Sequence, residues 1–281
     1  MDITTFVERD EQRERIFGTI WYEVMPKAFA DVSRYYGRGN AIASLGLCDW
    51  WSDRFVSKIA VADEAMVLDL CSGTHAVARC LLRNKRKVSV FAVDRSIEMT
   101  QEGQRLAKAC GLSINAVIAD AHALPYPDVL FDAVILQFAT RHLRIVEVFR
   151  EVRRVLKPGG VFYHSDMLKP SLRIIEVPYL AYLHAMLHLV AMALGSSKET
   201  RRCLKYFTDS IRTYVKPEEM IALLEAVGFE NVHHQSFLAG VFSCHIARKT
   251  VLNRSSLKGK EAGCAHSGEP KVADVRMGGR R

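Results

Sequence analysis

The segment from Met66 to Thr74 constrains the fold of this chain more than any other stretch. Its sequence, Met-Val-Leu-Asp-Leu-Cys-Ser-Gly-Thr, is a short apolar run that contains an acid and then breaks into small residues. The run predicts a buried strand, and the small residues predict a loop whose backbone can approach a ligand closely. The residues after it alternate between strand and helix patterns, and the residues before it are predicted to cover them.

Strand-like and helix-like segments alternate from Met66 onward. Strands of about five residues are separated by helices of about ten or more, which is typical of a parallel sheet with helices on both faces. Strands are predicted at 66–70, 87–93, 113–118, 131–138 and 161–164, and helices at 76–84, 97–110 and 143–156. A helix opening at Pro217 precedes two more strands at 229–236 and 240–248, the last one antiparallel. These elements predict an α/β fold with a doubly wound, seven-stranded, mainly parallel sheet.

Helical additions are expected on both sides of this sheet in the sequence. Residues 1–60 are predicted to form an N-terminal helical cover, with helices at 8–30 and 45–59 and a turn-rich stretch at 35–40. Residues 61–249 are predicted to form the sheet domain, with a helical lid inserted at about 169–213. Residues 250–281 carry seven Lys or Arg and three Asp or Glu, a surplus of +4, and are predicted to be a disordered basic tail.

Leu172 to Leu194 is the most apolar part of the predicted lid. Arg173, Glu176 and Pro178 interrupt it, which disfavours a membrane-spanning helix despite its length. The segment is expected to line a pocket for a lipophilic substrate or to touch a membrane surface. A buried lid helix that meets no lipid is the alternative.

Composition argues against several classes of function. Half of the net charge of +8 lies in the tail, so nucleic-acid binding is not expected. The seven cysteines show no Cys-x-x-Cys spacing and are odd in number, which argues against a zinc ribbon and a disulfide framework. The N-terminus lacks the apolar segment of a signal peptide, and a cytoplasmic location is expected. His184 and His188 lie four residues apart without an acid nearby, so no metal site is predicted.

Three acids are expected at successive strands. Asp69 lies within the first strand, Asp94 ends the second and Asp120 follows the third. In such sheets ligands bind beyond the carboxyl ends of the strands, where the strand order reverses. Asp94 can accept both hydroxyls of a ribose, and Asp120 can receive an adenine amino group. The loop 71–74 has one glycine where a dinucleotide dehydrogenase needs Gly-x-Gly-x-x-Gly, so the row of acids favours another adenosine-containing ligand.

Several short motifs around these acids are recognisable. They are Leu68-Asp69-Leu70-Cys71-Ser72-Gly73-Thr74, Asp120-Ala121-His122-Ala123-Leu124-Pro125, Phe138-Ala139-Thr140-Arg141-His142 and Arg154-Val155-Leu156-Lys157-Pro158-Gly159-Gly160. Together they resemble the ubiquinone/menaquinone biosynthesis C-methyltransferase family, a branch of the class I S-adenosylmethionine-dependent methyltransferases. Further matches in the cover and the C-terminal half extend the resemblance over roughly residues 29–249.

The resemblance implies S-adenosylmethionine as cofactor and transfer of its methyl group to a ring carbon of a prenylated quinol. The cofactor is expected to bind Asp69, Cys71, Ser72, Gly73, Thr74, His75, Asp94, Arg95, Asp120, Ala121 and Gln137. The substrate pocket is expected to include Tyr36, Asn40, Trp51, Tyr206 and Ser210. Arg141 is expected to stabilise a phenolate, and His142, where the family has Asn, is expected to act as base. Purely structural roles for both residues are the alternative.

Departures from the family pattern keep other functions open. The family loop continues Gly-Thr-Gly-Asp, whereas this chain has Gly73-Thr74-His75-Ala76, and Lys-Tyr-Asp in the cover has become Tyr35-Tyr36-Gly37. If position 75 needs a positive φ, histidine costs about 1 kcal/mol there. Methylation of oxygen or nitrogen on another apolar natural product is one alternative, and a degenerate relative that binds a partner or a lipid without turnover is another. Peripheral membrane contact and a homodimer are open as well.

Overall fold

Seven strands form one mixed sheet in the computed structural model, which describes residues 2–84 and 87–251. The strands are β1 Met66–Leu70, β2 Ser89–Asp94, β3 Asn115–Ile118, β4 Phe131–Gln137, β5 Leu156–Asp166, β6 Phe229–Phe237 and β7 Phe242–Lys249. Their order is β3-β2-β1-β4-β5-β7-β6, with β1 to β5 parallel and β7 antiparallel to both neighbours. The predicted sheet is confirmed, and its strand order reverses between β1 and β4.

Helices precede the sheet, connect its strands and follow β5. Before β1 lie α1 Ile3–Thr19, a π-helical turn Ile20–Val24, α2 Met25–Val32, α3 Tyr36–Ala43 and α4 Leu47–Val56. Between the first five strands lie α5 Ala76–Asn84, α6 Ile97–Ala109 and α7 Ile145–Val155. After β5 come α8 Arg173–Ala193, α9 Lys198–Arg212 and α10 Pro217–Val227. The domain boundaries expected at 60, 169 and 213 stay predictions.

The core consists of one apolar layer on each face of the sheet. Alternating residues of β1 enter opposite layers, as the period of a strand requires. Leu68 packs with side chains of α7 and α10 on one face, and Val67 packs with side chains of α4, α5 and α6 on the other. A smaller cluster around Trp21 and Tyr206 joins the N-terminal helices to α9.

The turn predicted at 35–40 is wrong, because most of that stretch lies in α3. Its two glycines suggested a break in the chain. Gly39 instead lies against α8, where a β-carbon would be 3.7 Å from side-chain atoms of Val190 and Leu194. Close packing between two helices therefore outweighs the low helix propensity of glycine at this position.

Strand β5 begins earlier than predicted, at Leu156 rather than Val161. The residues Lys157-Pro158-Gly159-Gly160, expected only to stop α7, are part of the strand, and the pairing with β4 shifts register between Phe131 and Ala133. A β-carbon at Gly160 would stand 2.8 Å from the Lys157 carbonyl oxygen, which explains why a glycine is needed in this irregular stretch.

Helix α8 is long and apolar enough to cross a membrane by length and composition. The mean hydropathy over its most apolar 18 residues is 1.4, and 11% of that stretch is buried. Pro178 lies inside the helix without ending it. The predicted basic tail lies outside the described residues from position 252 onward.

Candidate functional site

The loop after β1 and the end of β2 are joined by hydrogen bonds at the carboxyl edge of the sheet. The Gly73 N–H donates to Oδ2 of Asp94 at 2.8 Å, and the Ser96 N–H donates to Oδ1 of the same carboxylate at 2.8 Å. The Ser72 N–H donates to the Val93 carbonyl at 3.0 Å. Each Asp94 oxygen has a second lone pair, so the carboxylate can still accept hydrogen bonds from a ligand.

Asp69 lies within β1, before this edge of the sheet, and its carboxyl group caps the start of α5. It is 2% exposed, and its Oδ2 accepts the Ala78 N–H at 3.1 Å. That N–H belongs to the first turn of α5, where donors have no acceptor within the helix. Burial raises the pKa of Asp69 to about 7. Asp69 therefore fixes the start of α5 and the position of the loop 71–75.

The loop itself uses left-handed backbone at alternate positions. The φ angle is 53° at Cys71, 51° at Gly73 and 57° at His75. Position 75 thus has the positive φ for which the sequence analysis gave the cost of a histidine, and each non-glycine residue in this region of φ costs about 1 kcal/mol. Thr74, which lies between Gly73 and His75 in the sequence, is buried. Burial also raises the pKa of the Cys71 thiol well above its usual value. The cysteine sulfur therefore stays protonated.

The His75 side chain packs against α6. Its ring is fully buried, and Nδ1 lies 2.9 Å from the Ser72 Oγ. A β-carbon at Gly103 would stand 2.4 Å from Cδ2 of the ring. Burial, assisted by the nearby charge of Arg79, lowers the pKa of His75 to about 4, so the ring is neutral. The histidine that replaces the family's glycine is accommodated by a glycine on the neighbouring helix.

Asp120 lies beyond β3 and is partly engaged by its own loop. Its Oδ1 accepts the His122 N–H at 2.9 Å and lies 2.6 Å from Nδ1 of the same histidine. Burial alone would raise the pKa of Asp120, but these contacts with His122 lower it below its usual range. The neighbouring Ala121 is buried. Asp120 is therefore an ionised acceptor at the end of the predicted row.

Gln137 and Arg95 complete the predicted cofactor residues. The Gln137 Oε1 accepts a hydrogen bond from the Ser52 Oγ at 3.1 Å, while its Nε2 is buried without a partner among the described residues. Arg95 donates from its guanidinium to the Trp21 carbonyl in the N-terminal helices. Gln137 thus offers an unused donor at the end of β4, and Arg95 ties the cover to the end of β2.

An apolar cavity of 430 Å³ lies between the N-terminal helices, α8, α9 and the ends of β4, β5 and β7. Apolar side chains from α2, α8, α9 and the stretch 35–48 contribute to its lining, and Arg141 and His142 are among its polar lining residues. Tyr36 and Asn40, both predicted for the substrate pocket, also line it. Further lining residues are Met25, Phe29, Leu47, Tyr179, Leu183, Leu187, Val190 and Phe207.

Arg141 is held at the cavity by a buried ion pair. Its Nη1 donates to Oδ1 of Asp166 at 2.8 Å, with side-chain exposures of 7% and 0%. The Thr140 N–H and Oγ1 donate to the other carboxylate oxygen at 2.8 and 2.6 Å. The Arg141 Nε is buried without a partner among the described residues. The guanidinium is therefore held by Asp166, and its buried Nε–H donor is unused.

His142 is oriented by a chain of two hydrogen bonds. Its Nδ1 bonds to the Tyr206 hydroxyl, which accepts the Trp21 Nε1–H at 2.6 Å. The hydroxyl has one hydrogen, and Nδ1 is its acceptor among the described residues, so the neutral ring carries its own hydrogen at Nε2. Burial and the charges of Arg141 and Arg13 lower the pKa of His142 well below its usual value. A neutral imidazole with an Nε2–H donor results.

Three of the five residues predicted for the substrate pocket do not line the cavity. The Trp51 indole is 2% exposed and donates to the Ser165 Oγ at 2.8 Å within the core. The Ser210 Oγ donates to the Phe207 carbonyl of its own helix at 2.9 Å, and the residue is fully buried. Neither residue lines the cavity. Tyr206 does not line it either, and acts on it through His142.

Asp166 is a candidate site residue that the sequence analysis missed. It ends β5, so it repeats the pattern of acids at the carboxyl ends of strands that singled out Asp94. An acid at the end of a strand is visible in the sequence, so Asp166 could have been found. Its contact with the Arg141 guanidinium could not, because that contact requires β4 to pair with β5 and so place the ends of these strands side by side.

Known proteins resemble this chain over most of its length. Residues 21–249 match the ubiE/COQ5 methyltransferase family. The ubiquinone/menaquinone biosynthesis C-methyltransferase UbiE of Coxiella burnetii is 26% identical over 221 residues, which cover 77% of this chain and 87% of that protein. The demethylmenaquinone methyltransferase of Beutenbergia cavernae is 30% identical over 229 residues, 81% of this chain and 92% of that protein. A SAM-dependent methyltransferase structure from Aquifex aeolicus shares the fold, with a TM-score of 0.51, 16% identity and coverage of 70% of this chain and 88% of that one.

Proposed function

Because this chain belongs to the ubiE/COQ5 methyltransferase family and is an S-adenosylmethionine-dependent methyltransferase, we propose that it methylates a ring carbon of a prenylated quinol or a related lipophilic phenol. The observation that carries the proposal is the apolar cavity whose polar lining includes Arg141 and His142. A prenyl chain suits the apolar walls, and a ring hydroxyl suits the two polar side chains.

The edge formed by β1, β2 and β4 fits the cofactor. We assign the ribose hydroxyls to the Asp94 carboxylate, whose oxygens each keep a free lone pair after binding Gly73 and Ser96. The unpartnered Nε2 of Gln137 supplies a donor beside the loop, and Asp120 supplies an acceptor for the adenine amino group. When bound, S-adenosylmethionine supplies an electrophilic methyl group.

The acceptor ring needs its phenolate form, because the negative oxygen makes the ortho carbon nucleophilic. The Arg141 cation, held by Asp166, stabilises that oxygen electrostatically in a largely apolar cavity. The Nε2–H of His142 donates a second hydrogen bond to it. As the ring carbon bonds to the methyl carbon, the bond from that methyl to sulfur breaks and its electron pair stays on the sulfur. The methylated ring carbon then loses its hydrogen as a proton to solvent, the electrons of that C–H bond return to the ring, and the ring becomes aromatic again with its oxygen as phenolate.

The donor role differs from the base role expected for His142. A base at Nε2 requires the hydrogen to reside on Nδ1, and the Tyr206 hydroxyl hydrogen would then lose its acceptor. Leaving a buried hydroxyl hydrogen unpaired costs about 1–3 kcal/mol. The arrangement of Trp21, Tyr206 and His142 therefore favours the tautomer that donates from Nε2.

A transfer assay with two matched acceptors tests the proposal. We expect a prenylated quinol lacking one ring methyl to gain the mass of one methyl group when incubated with the chain and S-adenosylmethionine. The same ring with both hydroxyls blocked as ethers should gain none, because it cannot form a phenolate. Equal methylation of the blocked ring, or methylation of amines alone, would contradict the proposal.

A further inference from the structure

The outward face of α8 carries a stripe of exposed apolar side chains. The exposed fractions are 82% for Ile174, 59% for Val177, 52% for Leu189 and 65% for Met192. Their spacing of three or four residues, or multiples of it, places them along one side of the helix. The exposed Ala181 and Ala185 continue the stripe between Val177 and Leu189, beside the exposed His184 and His188. Exposed apolar surface of this kind on a folded domain marks an interaction site.

The opposite side of α8 forms a wall of the substrate cavity. Tyr179, Leu183, Leu187 and Val190 face the cavity, and the Tyr182 hydroxyl donates to the Ala43 carbonyl of α3 at 3.0 Å. These contacts attach the helix to the domain along its length. A helix that lies on the surface of the domain has one side packed on the domain and one side exposed, as α8 has. A helix inserted across a bilayer would not keep these contacts with the domain.

A basic groove of 950 Å³ lies beside the apolar stripe, between α8 and α9. Val177 and Ala181 line it together with cations of α9 and of the segments on either side. The cations are Lys169, Arg173, Lys205, Arg212 and Lys216, against the acids Glu176 and Asp209. Among the described residues only Arg212 of these cations forms an ion pair, with Asp209 at 3.7 Å.

The exposed side of α9 adds more positive charge to the same face. Lys198, Arg201 and Arg202 are exposed there and form no ion pair with the described residues. An apolar stripe flanked by unpaired cations is the composition of a helix that lies in the interface of an anionic membrane. A second copy of the chain would bring the same positive charge and would repel this face.

We propose that the surface formed by the outer sides of α8 and α9 binds an anionic phospholipid bilayer. The apolar stripe of α8 enters the headgroup region, and the cations of α9 and the groove contact lipid phosphates. The docked position puts the cavity wall next to the bilayer. In this position a lipophilic acceptor could enter the cavity from the bilayer, and this part of the inference rests on the proposed function. The binding of the surface to the bilayer does not depend on it.

Vesicle flotation of the full chain, without cofactor or acceptor, tests the binding. We expect binding to vesicles containing phosphatidylglycerol and much weaker binding to pure phosphatidylcholine. Ile174→Ser/Val177→Ser should reduce the partition coefficient at least tenfold. Val129→Ser is the control, because Val129 is 47% exposed in the loop before β4 and belongs to neither helix.

A second pair of variants removes equal charge from different places. Arg201→Gln/Lys205→Gln should weaken binding to the anionic vesicles by about 30-fold, since each cation near such a surface contributes about fivefold. Lys108→Gln/Arg150→Gln removes two exposed cations from α6 and α7 and should have little effect. Every variant keeps residues 250–281, so their charge contributes equally throughout.

Several results would overturn the membrane proposal. The first is that the wild-type chain does not float with anionic vesicles. The second is that the α8 and α9 variants bind the vesicles as well as their controls do. The third is that the α8 variants change the oligomeric state of the chain and leave vesicle binding unchanged. Because no methyl transfer is measured, failure here leaves the transfer assay unaffected. Failure of the transfer assay with normal flotation would reject the acceptor class and leave the docking surface standing.

Discussion

The imidazole of His75 lies so close to the backbone of Gly103 that a β-carbon at position 103 would stand 2.4 Å from Cδ2 of the ring. Real β-carbons do not approach other atoms to that distance. The glycine lies inside α6, where it costs about 0.5–1 kcal/mol relative to alanine. The two residues therefore depend on each other, and the ring of His75 is directed to α6 instead of across the loop.

This dependence predicts that Gly103→Ala destabilises the chain although alanine favours helices. Overpacking against the ring should cost about 1–3 kcal/mol of unfolding free energy. In a His75→Gly background, the same change should stabilise by about 0.5–1 kcal/mol. Denaturant unfolding of the two single variants and the double variant measures this coupling.

Gly37→Ala is the matched control for this cycle. Gly37 is also helical, in the first turn of α3, and a β-carbon there would meet no atom within 4 Å. We expect it to be neutral or stabilising with either residue at position 75. A Gly103→Ala change that stabilises the chain with His75 present would show that the ring does not occupy this space.

The second prediction concerns the cofactor. Asp94→Ala should weaken S-adenosylmethionine binding by about 2 kcal/mol, because hydrogen bonds from the ribose hydroxyls to a charged group are lost. Isothermal titration calorimetry measures the change. Asp128→Ala removes an exposed carboxylate near the opposite edge of the sheet and should leave the affinity unchanged. If Asp94→Ala binds S-adenosylmethionine as tightly as the wild type, the assignment of the ribose hydroxyls to Asp94 is wrong.

The third prediction separates a donor from a base at position 142. Glutamine can place an N–H near the position of Nε2 but cannot accept a proton at neutral pH. If His142 donates to the phenolate, His142→Gln should keep kcat within about tenfold, and His142→Leu should lose about 100-fold or more. Steady-state kinetics at saturating cofactor compare the two. Equal losses in both variants would favour the base role.

The fourth prediction concerns pH and the buried Asp69. Its pKa in the folded chain is raised to about 7, whereas an exposed aspartate titrates near 3.9. The protonated carboxyl therefore contributes stability that is complete below about pH 3.9 and is lost as the pH rises through about 7. The advantage of Asp69→Asn over the wild type should grow by about 2 kcal/mol between pH 5.5 and 8.5.

Denaturant unfolding of both proteins at the two pH values measures this difference. Other groups with shifted pKa values, such as Asp10, contribute equally to both proteins and cancel. The asparagine side chain keeps an oxygen for the Ala78 N–H, so the cap on α5 is retained in the variant. A difference between the two proteins that does not change with pH would show that Asp69 is ionised in the folded state.

The sheet and the row of acids could be predicted because they depend on local patterns. Apolar runs of strand length, a glycine loop after β1 and acids at strand ends are visible in one sequence. Parallel strands then bring those ends to the same edge, which places Gly73 within a hydrogen bond of Asp94.

Contacts between distant segments could not be predicted in the same way. Gly39 looked like a turn residue because its packing against α8 involves residues about 150 positions later. Trp51 looked like a pocket residue, but its indole hydrogen bond to Ser165 directs it into the core. The partners of Arg141 and His142 are Asp166 of β5 and Tyr206 of α9, and only the folded arrangement brings them next to the two residues that line the cavity.

The position of the transferred methyl group on the product distinguishes methylation of carbon from methylation of oxygen. The reaction is run with ¹³C-methyl-labelled S-adenosylmethionine and a prenylated quinol, and the product is examined by NMR. We predict that the labelled methyl is bonded to a ring carbon, that one ring-proton signal disappears for each methyl transferred, and that both hydroxyls remain. A product with its label on oxygen and all ring protons intact would contradict the proposed function.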